Sequence, residues 1–292
     1  MTVSRIGAAT SAILALVACR PTPNMPAEGG GTGGGGETSR ETTSSGFATG
    51  SGEESSTTEV AECSEVFEGV AELSGVTDTS AFENVQRIEG SLRIRGWAGD
   101  SLEGLFPCLE EVTSGSLLVA DTANLASLRG LEALRVVEGG VAFYRNAKLT
   151  SLEGLEGLEE TGSMTVASNP VLADIDLPAL RQLGHLDLGL CAFDSKTAQS
   201  GTNGLVSLGG FLSLESLGGV GVSGQADLVA LPLLYRLVEK DAALGTLSIQ
   251  HNPSLPVEEV DGLREFVDEP GFQSCNNLGE SEENRCSCNP SG

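Results

Sequence analysis

The chain has 292 residues, 39% of them hydrophobic but only 4% aromatic, and its 41 Asp and Glu against 16 Lys and Arg give a formal charge of −25. A field of that sign repels phosphate backbones and anionic headgroups, so nucleic acid is excluded as a partner and the acid excess reads as a solvated, soluble surface. With so few aromatic residues, any core is built from Leu and Val.

The first eighteen residues read as an export signal. Arg5 precedes an apolar run from Ile6 to Ala18, which is too short to span a bilayer but suits a signal-peptide core. Leu16-Val17-Ala18-Cys19 resembles the bacterial lipobox at all four positions. That resemblance implies cleavage before Cys19, lipid on its thiol, and membrane residence made lasting by the second and third acyl chains. An ordinary secretory signal with a coincidental cysteine is the alternative. Arg20 is not the aspartate of an inner-membrane retention signal, so the expected address is the outer membrane or cell surface.

Residues 19–60 follow as a tether. They are rich in Gly, Ser, Thr and Glu, include Gly33-Gly34-Gly35-Gly36, and hold almost nothing apolar, so they cannot bury enough surface to fold. A glycine-rich coil of about forty residues reaches roughly 35 Å.

Residues 61–268 carry an internal period. Val85, Leu109, Leu134, Leu158 and Leu180 are spaced by 24, 25, 24 and 22 residues, and Ile88, Val112, Val137, Thr161 and Leu183 follow three positions on. Short alternating stretches come next, such as Leu92-Arg93-Ile94, Leu117-Leu118-Val119 and Val141-Ala142-Phe143. Alternation at period two predicts short strands with one face buried. Asn146, Asn169 and Asn252 close three of the units; Asn accepts tight turns, and its side chain can satisfy backbone groups of the next coil.

After Leu188 a polar insertion from Cys191 to Asn203 interrupts the period. It resumes with Leu214 and Leu217 before Val220-Gly221-Val222, and with Leu234 and Leu237 before Leu247-Ser248-Ile249. The reading is about seven stacked coils, since no single coil buries enough to stand alone. Apolar Val257, Val260, Leu263 and Phe266 predict a short C-terminal helix covering the last coil. Residues 269–292 form a cysteine-containing tail.

The units around Ile88-Glu89-Gly90-Ser91-Leu92-Arg93-Ile94 and Asn169-Pro170-Val171-Leu172 resemble the receptor L domain of the insulin and epidermal growth factor receptor families, over about residues 63 to 268. The resemblance implies a mainly β, right-handed parallel β-helix that binds a protein or glycan on the broad face of its ladder. Ordinary leucine-rich repeats share the leucine spacing. No ligand-contact residue carries over, because the receptors' contacts follow no motif.

Apart from Cys19 there are six cysteines: Cys63, Cys108, Cys191, Cys275, Cys286 and Cys288. An even number outside the cytoplasm suggests disulfides. Cys63, at the N-terminal end of the repeats, is expected to pair with Cys108, and Cys275 with Cys286 or Cys288. No zinc-ligand spacing accompanies Cys286-Ser287-Cys288, so neither metal nor cofactor is expected. His185, on the outward phase of its strand, and His251, beside Asn252, are the two histidines. Neither sits in a nucleophile, zinc or phosphate motif. The expectation is therefore a lipid-anchored recognition module and not an enzyme. Tyr144, Trp97 and Phe143 are the aromatic candidates for a binding face. The alternatives are a structural envelope lipoprotein without a ligand and a carbohydrate-active β-helix enzyme working through paired carboxylates.

Overall fold

The computed structural model describes residues 63–75, 80–189, 202–240, 244–267, 271–275 and 277–279. The signal segment, Cys19, the tether, Cys191 with the body of its insertion, Cys286 and Cys288 lie outside the described residues.

Among the described residues are eleven strands: β1 (Glu65–Leu73), β2 (Val85–Arg95), β3 (Glu111–Thr113), β4 (Ser116–Ala120), β5 (Val136–Val137), β6 (Gly140–Tyr144), β7 (Glu160–Ala167), β8 (Gln182–Leu188), β9 (Ser216–Ser223), β10 (Leu244–Gln250) and β11 (Phe272–Cys275). Two short α-helices join them, α1 (Pro232–Glu239) and α2 (Val257–Asp261). Every strand pairing is parallel. β3 and β4 share one rung, as do β5 and β6, so eleven strands make nine rungs with eight turns of chain between them. The result is a β-solenoid that fits a right-handed parallel β-helix. At about 4.8 Å per rung the ladder is roughly 38 Å long.

The leucine period is the interior of this coil. Leu109, Leu134 and Leu158 are wholly buried, as are Ile88, Val112 and Val137 one step further along. The alternating stretches behave as period two requires: Leu92, Leu117, Val141, Met164, Leu186, Val220 and Leu247 fall in one cross-rung register, and all point into the core. Phe143 belongs to that core, so it is not part of any outer face. At the first rungs Phe67, Phe82 and Phe106 make a tilted aromatic cluster, and Cys63 is bonded to Cys108 across 45 residues. That pair is the expected one. Cys275 is also disulfide-bonded, its partner lying outside the described residues.

Three features differ from the sequence reading. There are about eight turns where seven were counted, because β1 and β11 lack a full repeat signature yet pair in register with β2 and β10. The segment 257–267 is helical in part, burying Val260 and Leu263, but Phe266 is 51% exposed. The chain then continues into β11, so this segment links the last two rungs rather than ending the stack. The insertion after Cys191 does not interrupt the ladder: Leu183 still pairs with Leu217 and Leu186 with Val220.

Two seams hold the coils in register. The first is a column of glycines, Gly69, Gly90, Gly115, Gly139, Gly162, Gly184, Gly218 and Gly245, one per rung from β1 to β10. A β-carbon on any of the last seven would overlap the carbonyl oxygen of the glycine one rung earlier. Backbone touches backbone there, which only glycine permits.

The second seam is a buried amide ladder at the corner where each strand ends. Asn146 Oδ1 accepts hydrogen bonds from the Thr122 amide at 3.3 Å and the Thr122 hydroxyl at 2.8 Å. Asn169 Oδ1 accepts from the Asn146 amide at 3.1 Å and from Asn146 Nδ2 at 3.0 Å. Asn203, Gln225, Asn252 and Asn277 continue the pattern rung by rung. Each amide nitrogen also donates to a strand carbonyl, as Asn146 does to Val119 and Asn169 to Phe143. The left-handed conformation of the corner falls not on the ladder residue but on the one before it: Asp121 before Thr122, and Arg145, Ser168 and His251 before their asparagines, have φ of 58°, 52°, 61° and 57°. The asparagines are kept for their side-chain hydrogen bonds, each of which satisfies a buried corner amide.

Candidate functional site

The glycine column divides the outward surface of the sheet into two unlike strips. Before it, the chain carries Glu110, Glu111, Glu138, Glu159, Glu160 and Glu215, with basic residues bridging successive rungs. Arg87 Nε meets Glu111 at 2.7 Å and Arg135 Nη1 meets Glu159 at 3.1 Å. Arg129 lies between Glu103 and Glu153, which together hold its guanidinium above the ordinary arginine value. These groups are exposed, so solvent and salt screen each pair. A shallow groove of about 420 Å³ runs beside Arg129, lined by the stacked Ser101, Ser127 and Ser151. Arg129 is its one cation, paired with Glu103 and Glu153.

The strip after the glycines has a different chemistry. Its outward positions in β4, β6 and β7 include Ser116, Leu118, Ala142, Tyr144, Ser163 and Thr165; β9 gives Gly219, Gly221 and Ser223; β10 gives Thr246, Ser248 and Gln250. From β2 to β11 the only carboxylate at these positions is Asp187, while Arg93 and Arg95 stand at the β2 end. In a chain of charge −25, this one broad face is nearly neutral. It is also low in relief, since most of its side chains are small. Of the three aromatic candidates only Tyr144 lies on it. Burial raises the Tyr144 phenol above the ordinary value, and a hydrogen bond to Thr165 opposes that shift. Trp97 sits at a corner, half-buried against the core, with Nε1 donating to the Ser101 carbonyl at 3.1 Å.

The one titratable pair on the face is His185 with Asp187, two positions apart in β8, so that both side chains stand on the same side of the strand. His185 Nε2 is 3.2 Å from Asp187 Oδ1, and that hydrogen bond raises the imidazole above its ordinary value against the opposing effect of burial. Both lean across β9, where the facing residues are Gly219 and Gly221. A β-carbon on Gly219 would stand 2.5 Å from both His185 Nδ1 and Thr246 Oγ1, and one on Gly221 would stand 2.5 Å from Asp187 Oδ1. The absence of side chains in β9 is what lets the pair lie flat. His251 is remote in character: it occupies a left-handed corner next to Asn252, and burial lowers its imidazole.

Sequence reasoning placed His185 outward, Asn146, Asn169 and Asn252 at corners, and Tyr144 on the strand. It did not bring His185, Asp187, Gly219, Gly221 and Thr246 together, because their contact crosses three rungs. The signal available was a Gly-x-Gly in a strand position, in Gly219-Val220-Gly221, where neither glycine is needed for a turn. Thr122 and Gln225 are not asparagines, Asn203 lies at the end of the insertion and Asn277 beyond the last predicted coil, so none of the four stands out as a ladder member in the sequence. Among the described residues no cluster of three His, Cys, Asp or Glu side chains is arranged to hold a metal ion. No family model, characterised protein or solved structure matches the chain.

Proposed function

We propose that the chain is an exported lipoprotein of the bacterial envelope, anchored through acylated Cys19 and using a solenoid of receptor L-domain type for recognition on the neutral strip of its sheet. The observation that carries this reading is the distribution of charge. On the sheet, carboxylates crowd the strip before the glycine column and leave the strip after it nearly free of charge from β2 to β11, and a flat face low in charge beside an acidic one is the kind of surface on which a partner docks. The parallel ladder adds rigidity, so a partner meets a surface whose ordering is already complete. The lipobox supports the anchor, and the Gly-rich tether supports presentation at a distance from the membrane. Binding is favoured over catalysis because the face is open and offers no enclosed site.

Two measurements test the reading. A mass spectrum of the mature N-terminal peptide is expected to show acylated Cys19; an unmodified peptide starting elsewhere overturns the anchor. Cosedimentation of the unacylated C19A protein with isolated cell envelopes is expected to fall when T165E puts a charge in the middle of the strip, and to persist with E156A, which lies elsewhere. Equal retention of both variants, or of neither, overturns recognition by this face and leaves an envelope scaffold.

A further inference from the structure

Gly219 and Gly221 are unexpected where they stand. Both occupy outward positions inside β9, and neither has the positive φ that would demand glycine. Glycine in a strand interior weakens it and packs nothing. Neither belongs to the seam where backbones touch, since the atoms that a β-carbon would meet are the tips of His185, Thr246 and Asp187 rather than a carbonyl of the neighbouring rung. What the two glycines achieve is to lay the hydrogen-bonded His185–Asp187 pair down toward Thr246, leaving a polar platform across β8, β9 and β10.

We propose that this platform is a binding site for a neutral, linear polysaccharide running along the ladder. The proposal rests on the recognition reading given above and names its ligand. The groups presented are an imidazole, a carboxylate and the hydroxyls of Thr246 and Ser248, a mixture of donors and acceptors matched to sugar hydroxyls. Charge selects against the other polymers: the surrounding acids repel a polyanion, and a polycation is drawn to the carboxylates before the glycine column rather than to a strip with one carboxylate. The repeat matches as well. Rungs recur about every 4.8 Å, close to the length of one hexose unit, so successive sugars meet successive rungs. Tyr144, two rungs away on the same strip, is placed to pack against a sugar ring.

The test is calorimetric titration of the full chain with N-acetylglucosamine and glucose oligomers from disaccharide to hexasaccharide, with heparin as the polyanion. Affinity is expected to rise about tenfold from the shortest to the longest neutral oligomer, with none for heparin. In G219V the β-branched side chain suits a strand but displaces the His185 ring, so the variant is expected to fold and to lose about tenfold in affinity; H185A is expected to lose binding while still unfolding in a single cooperative transition. Absence of saturable binding by every neutral oligomer, or binding indifferent to G219V and H185A, overturns the proposal. If envelope cosedimentation still depends on Thr165 in that case, the face recognises a protein and the recognition reading stands; if cosedimentation is lost as well, both fall.

Discussion

Gly218 and Gly219 are neighbours in β9, yet one belongs to the seam between rungs and the other to the outward face. At Gly218 a methyl group would run into the Gly184 carbonyl, part of a backbone that stacking holds in place. At Gly219 it would meet the ring edge of His185 and the hydroxyl of Thr246, groups that rotate about side-chain bonds. The contrast extends to the whole strips. In the seams the solenoid sets each residue, because the distance between rungs leaves no alternative; on the face the solenoid sets only direction, and the choice of side chain is open to function.

The sharpest way to break this comparison is the matched pair of alanine variants. G218A is expected to lose on the order of 4 kcal/mol, the cost of a clash that only backbone movement relieves, read from the urea midpoint. Next in size is N169A. It removes the acceptor of both the Asn146 amide and the Asn146 side chain and the donor to Phe143, all buried. About 3 kcal/mol is expected from the groups left unsatisfied, again by denaturant titration; a loss below about 1 kcal/mol would mean that the amide ladder follows the coil rather than holding it.

A smaller effect belongs to the face. Because the folded state raises the His185 pKa, it binds that proton more tightly than the unfolded chain does. The resulting stabilisation is complete below the unfolded imidazole value and is lost as pH rises through the folded value. D187N is expected to abolish this dependence over about pH 5 to 8 and to bring the His185 titration down in NMR. An unchanged titration would show that Asp187 is not its cause. The smallest effect is expected in G219A: stability within about 1 kcal/mol of the parent, and on the stabilising side if relief of unfolded-state freedom dominates. A loss equal to that of G218A would erase the distinction between seam and face.

How much of this was legible differs by residue. Leu109, Leu134 and Leu158 announced a column because an aliphatic side chain every two dozen positions has no other economical arrangement, and all three are buried in register. Asn146, Asn169 and Asn252 were visible as corners, although the strained backbone lies one residue earlier, at positions such as Arg145 and Ser168. Gln225 was invisible, since its longer side chain reaches the same ladder from a corner without the Asn signature. Glu65–Leu73 and Phe272–Cys275 were invisible as rungs because an end strand is recruited by its neighbour and needs less of the repeat to join.

By itself, then, the order of residues determined that aliphatic coils stack in parallel and that the molecule is a polyanion; it made Cys63 with Cys108 the expected pair without fixing it among the possible connectivities. Those properties depend on period, composition and local chain geometry, which are all linear quantities. Only the tertiary structure decided that the acids gather on one side of the glycine column and that His185, Asp187, Gly219 and Thr246 share a platform. The reason is register: residues far apart in the chain become neighbours only when each turn returns at a fixed phase, and that phase is set by the packed core and the amide ladder, not by any stretch of sequence alone.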